Sequence, residues 1–114
     1  MKGPIYIKSD QFAQEVILVY NKLASKNEYV ISRQLLKCGT SVGANVNEAS
    51  SAESLKDFIS KNSIALKEAK ETLYWLKLLE NSNIIEYNYH DILFLNVEII
   101  RILSKIIITS KKKL

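Results

Sequence analysis

Apolar residues recur along this chain in steps of three and four, the period of helices packed on one side. The first stripe holds Phe12, Val16, Tyr20 and Leu23, flanked by Ala13, Ile17 and Ala24. Ser9 precedes it as a predicted N-cap with Asp10 in the first turn, and Lys26-Asn27 reads as its stop. Residues 1–8, with Gly3 and Pro4, read as an extended lead-in, so the first helix is expected over about 9–26. The second segment opens with Ile31, Leu35, Leu36 and Cys38 and then meets Gly39-Thr40-Ser41-Val42-Gly43-Ala44-Asn45-Val46. Its glycines and its β-branched and hydroxyl residues disfavour helix by up to about 1 kcal/mol each relative to Ala. Spacing argues the other way: Gly39 and Gly43, four apart, form a smooth notch on a helix, extended by Ala44 and Asn47, where another backbone packs closely. A helix over about 29–51 is therefore predicted through the glycines.

Ser51 and Ser54 both offer N-caps for a third helix expected over about 54–81, with Asp57 three residues after Ser54 in a capping-box-like arrangement. Its seam runs Leu55, Ile59, Asn62, Leu66, Ala69, Leu73 and Leu76, thickened by Phe58, Ala65, Thr72 and Leu79. Asn88 and Asp91 open a fourth helix expected over about 88–112. From Ile92 to Ile108 twelve of 17 residues are apolar, whereas a helix packed on one side of a bundle needs about three in seven. The surplus calls for a second partner surface. It is no membrane span, because the longest uninterrupted apolar run is Ile92 to Leu95. Four helices joined by short connections predict an all-α, antiparallel four-helix bundle forming a single domain over 1–114.

Composition changes the picture in two places. One Cys excludes an internal disulfide framework, and the start of the chain has no signal-peptide apolar region, so a cytoplasmic location is expected. The net charge of +4 is a C-terminal feature: Arg101, Lys105, Lys111, Lys112 and Lys113 are followed by no acid, while residues 1–100 carry 11 basic against 12 acidic groups. Two readings stand for that cluster. Lysines at a helix C-terminus complement the macrodipole and keep an Ile-rich helix soluble; they also fit phosphates, more so if self-association multiplies them.

Catalytic chemistry finds little support. The single His90 cannot supply the paired Glu-x-x-His of a di-iron bundle and reads as an exposed or capping residue. Cys38, at a helical core position, reads as a buried structural thiol. Glu48, Glu68 and Glu71 read as solvated ion-pair partners, and the glycine segment lacks the Gly-Lys-Ser/Thr ending of a phosphate loop. Tyr74 and Trp75 suit packing first and base stacking second. No enzyme, cofactor, metal or small-molecule substrate is expected.

Two ordered blocks carry a resemblance over nearly the whole chain: Gln34-Leu35-Leu36-Lys37-Cys38-Gly39-Thr40-Ser41-Val42-Gly43-Ala44-Asn45-Val46-Asn47-Glu48-Ala49, then Asp57-Phe58-Ile59 and Ile64-Ala65-Leu66-Lys67-Glu68-Ala69-Lys70-Glu71-Thr72-Leu73-Tyr74-Trp75-Leu76. They resemble the bacterial four-helix-bundle family named for proteins encoded in intervening sequences of 23S ribosomal RNA genes, related to the accessory variability determinant proteins of retroelements. The resemblance implies a ring-like homopentamer; it does not imply an enzyme. It implies RNA or a reverse-transcriptase-like protein as partner. This chain departs from the accessory type in its near-neutral body.

The expectation is a non-enzymatic homo-oligomeric helical scaffold that binds structured RNA or an RNA-protein partner through Lys105, Lys111, Lys112 and Lys113, with Arg101, Arg33 and Lys37 as weaker contributors. The alternative is a structural or protein-interaction oligomer without a nucleic-acid role. Gly39, Gly43, Asn45, Ile102 and Ile106 are the candidates for the oligomer interface or for close helix packing.

Overall fold

The computed structural model describes residues 3–114, and among them every regular element is an α-helix: α1 (Pro4–Ser25), α2 (Val30–Ala49), α3 (Leu55–Ser82) and α4 (His90–Lys111). The start of α1 corrects the sequence reading. The helix begins at Pro4 behind an extended Gly3, because proline has no N–H to leave unpaired in a first turn and its ring holds φ near the helical value. Ser9 is no cap; it lies buried inside α1, and its hydroxyl donates to the Tyr6 carbonyl at 3.3 Å. The earlier start also reveals the true stripe: Ile5, Ser9, Phe12, Val16, Val19 and Leu23 are buried, while Ile17 is 44% exposed and Tyr20 half-buried.

The glycine segment of α2 is helical without a break. At the other end of that helix, the Glu28 carboxylate accepts from the N–H groups of Val30, Ile31 and Ser32 at 2.8–3.3 Å, which satisfies donors that a helix start leaves open. Ser54 caps α3 as expected, its Oγ accepting from the Asp57 N–H at 3.0 Å; Asp57 returns a bond to the Glu53 N–H rather than to Ser54. Asn27 and Asn83 stop α1 and α3 in left-handed conformations (φ 62° and 55°), which asparagine tolerates. Asn88 does open α4, its Oδ1 accepting from the His90 N–H at 3.0 Å, two residues before the helix that was expected to include it.

Each helix packs on its two neighbours in the order α1, α2, α3, α4 and back to α1, with α1 across from α3 and α2 across from α4. The bundle measures 47 × 23 × 21 Å. Short connections make neighbours antiparallel, and cross-contacts fix their register: Lys61–Glu48 at 3.5 Å, Lys8–Glu98 at 3.1 Å, and the Asn96 amide donating to the Ala69 carbonyl at 3.0 Å. One end therefore gathers the start of α1, the end of α2, the start of α3 and the end of α4. The seam of α3 is turned from the one expected: Ile59, Asn62, Ala65, Ala69, Thr72, Leu76 and Leu79 are buried, and Leu66 and Leu73 only partly. That rotation serves two neighbours at once, with Ala69 meeting α4 and Thr72 close to Cys38 of α2.

Candidate nucleic-acid interface

The glycine notch belongs to the interior of the chain. A methyl group added at Gly39 would stand 2.7–3.2 Å from three atoms of Val16, whereas one at Gly43 would meet Ser9 at an ordinary 3.5 Å or more. Gly39 thus lets α1 and α2 approach closely and is unavailable to a second copy. Ala44 and Asn47, predicted to extend the notch, face solvent. Asn45 is half-buried and spends its amide on its own helix, donating to the Ser41 carbonyl at 2.9 Å. Beside the notch, burial pushes the Cys38 thiol up to about 11, against the opposing pull of its hydrogen bond with Thr72; a thiol held protonated is a poor nucleophile.

The predicted basic residues separate into two groups. Lys105 and Lys111 are exposed on the last turns of α4, Lys112 and Lys113 are exposed just past its end, and Arg101 is exposed one to three turns earlier. Among the described residues the ion pairs are Lys8–Glu98 and Lys61–Glu48, so none of these five cations is neutralised by a carboxylate contact. Arg33 and Lys37 lie on the first half of α2, in the opposite half of the bundle, and the Arg33 guanidinium sits 5.6 Å from the centre of the Tyr29 ring. They form no single patch with the lysines of α4.

Ile102 and Ile106 are half-buried against the core. The apolar surface that α4 turns outward consists instead of Phe94 (66% exposed), Val97 and Ile108, on the same face as Arg101 and Lys105. The surplus of apolar residues in α4 was legible in the sequence, but which of them face outward was not, since nearly every position is apolar. Of the polar residues in that run, Asn96 is fully buried, with its Oδ1 unpartnered.

The groove containing Ile102 and Ile106 was not foreseen. It has a volume of about 400 Å³ and is lined by Phe58 of α3 and by Ile102, Lys105, Ile106, Thr109, Ser110 and Lys113. The Lys8–Glu98 contact sets Pro4, where α1 begins, level with about Ile102, so the turns of α4 from there to Lys111 lie past the start of α1. Among the described residues no three His, Cys, Asp or Glu side chains gather where they could hold a metal ion, and no helix is long and apolar enough to cross a membrane.

Against known proteins, residues 2–105 match the family model described as 23S rRNA-intervening sequence protein. A solved structure, that of a protein with unknown function from the S23 ribosomal protein family of Bacteroides thetaiotaomicron VPI-5482, is 44% identical, superposes with a TM-score of 0.87, and is matched over 90% of this chain and 97% of that one. No curated protein matches the chain.

Proposed function

We propose that this chain, which belongs to the 23S rRNA-intervening sequence protein family, is a non-enzymatic helical scaffold that assembles with copies of itself and holds the phosphates of structured RNA on the end of α4. The observation that carries the RNA reading is the cluster of Lys105, Lys111, Lys112 and Lys113, exposed together and free of carboxylate partners. Ring assembly, pentameric by the family resemblance, would repeat that cluster around an axis and turn a modest charge into a strong field. The exposed Phe94, Val97 and Ile108 supply the surface for assembly. The same residues favour the second reading, an oligomer that contacts only proteins.

Equilibrium binding to a structured RNA hairpin across a salt series tests the first reading. Each phosphate contact is expected to contribute a slope of roughly 0.7 to 0.9 log units in affinity per log unit of salt. Changing Lys105, Lys111, Lys112 and Lys113 to Ala should flatten that slope; equal slopes for both proteins would leave the second reading. Native mass measured for Phe94→Asp and Ile108→Asp tests assembly, and a mass equal to that of the unaltered protein in both would remove these residues from the interface.

A further inference from the structure

The groove beneath the start of α1 combines three features that the lysine cluster alone does not have. Its floor is apolar and includes an aromatic ring, with Phe58, Ile102 and Ile106 all half-buried. Its rim carries Lys105 and Lys113, both exposed, while no carboxylate lines it. Lys105 lies on α4 and Lys113 two residues past its end, eight residues on, roughly 12 Å along the helix direction, and both line the groove. A volume of about 400 Å³ is that of a small-ligand site rather than of a cleft for a helix.

We propose that this groove receives one unpaired RNA base, with Phe58 offering the stacking surface and Lys105 and Lys113 holding the phosphates on either side of it. The inference rests on the RNA reading above and narrows it from duplex to bulged or looped RNA. A duplex keeps its bases stacked and its deep major groove closed to side chains, so an apolar pocket between two cations has nothing to receive from it. A splayed nucleotide presents what the groove complements: a flat apolar face between two anionic groups. An acidic peptide would satisfy the two rim lysines but not the further cations, Lys111 and Lys112, on the same helix end, which suit a repeating polyanion.

The test compares a fully paired RNA hairpin with the same hairpin carrying a single-nucleotide bulge, using the full chain. Two variants accompany it: Phe58→Leu, which keeps apolar bulk but removes the ring, and Thr109→Trp, which fills the groove from an exposed position and leaves the core intact. The unaltered protein should prefer the bulged hairpin by about tenfold, the order expected for stacking one base. Both variants should lose that preference while keeping the salt dependence, and a 2-aminopurine placed in the bulge should change its fluorescence only with the unaltered protein. Equal binding of both hairpins by all three proteins would overturn the groove assignment and leave the lysine reading standing. Absence of salt-dependent binding to either hairpin would overturn both.

Discussion

The seam between α1 and α2 and the last turns of α4 are built on opposite terms. In the seam, a glycine is fitted so closely to Val16 that the space for one methyl group is missing, and Phe12, Val16, Leu35 and Val42 are wholly shielded from solvent. At the end of α4 a neighbour is lacking on one side, isoleucines lie half-open, and every charge faces outward. The first region spends its residues on one internal contact. The second leaves apolar and cationic groups unsatisfied, and an unsatisfied surface is where a partner gains most.

The largest expected effect separates the two regions by truncation. Phe12→Ala should destabilise the fold by about 3–5 kcal/mol, whereas Phe94→Ala, a ring of similar size on the open face, should stay within about 0.5 kcal/mol in dilute solution. Urea unfolding measures both. A loss for Phe94→Ala that grows with protein concentration would show its face covered in the proposed assembly and confine the contrast to the free chain; a large loss independent of concentration would break it.

A finer contrast lies within the seam itself. Gly39→Ala should cost about 1–3 kcal/mol through collision with the stiff Val16 side chain, while Gly43→Ala should be neutral or stabilising by up to about 1 kcal/mol, as alanine favours helix. Pairing Gly39→Ala with Val16→Ala should recover part of the loss in a double-mutant cycle; strict additivity would show that the close approach is not what Gly39 provides.

Titration of Cys38 gives a smaller, pH-dependent effect. The unfolded thiol ionises near 9.0 and the folded one near 11, so between these values the unfolded chain releases its proton first. Stability should therefore be level below pH 9 with respect to this group and fall as pH rises from 9 toward 11. Tyr87 and Tyr89, raised chiefly by burial, push in the same direction at higher pH. Urea midpoints measured from pH 8 to 10.5 should show a shallower decline for Cys38→Ala; parallel curves would assign the decline to the tyrosines.

The smallest effects are expected where polar groups are least well used. Asn96 donates to Ala69 but leaves its Oδ1 buried without a partner, so Asn96→Leu should be near neutral in thermal unfolding. Lys8→Ala, which breaks a partly exposed pair with Glu98, should cost under about 1 kcal/mol. A larger loss for Lys8→Ala would show that the α1–α4 contact, the least extensive in the bundle, depends on that pair.

Helix number, order and most boundaries were legible because period and caps are local. Ser54 and Asp57, Asn88 and the four-residue step from Gly39 to Gly43 act within one or two turns, where residue type nearly dictates geometry. The exceptions have physical reasons. Pro4 suits an extended lead-in and a first helical turn equally well, and only the helical start brings Ile5 and Ser9 into the core stripe. The notch between Gly39 and Gly43 was visible, but not whether α1 or a second copy would fill it.

The sequence by itself determined that this is a four-helix protein with surplus apolar surface and a basic end on its last helix, since these follow from periodicity and from the order of charges along the chain. Only the tertiary structure decided that the glycines serve the interior, that Arg33 and Lys37 lie away from the α4 lysines, and that a groove opens beneath α1. Those facts depend on the register and relative lengths of helices far apart in the chain, and no local pattern of residues encodes how far one helix outruns its neighbour.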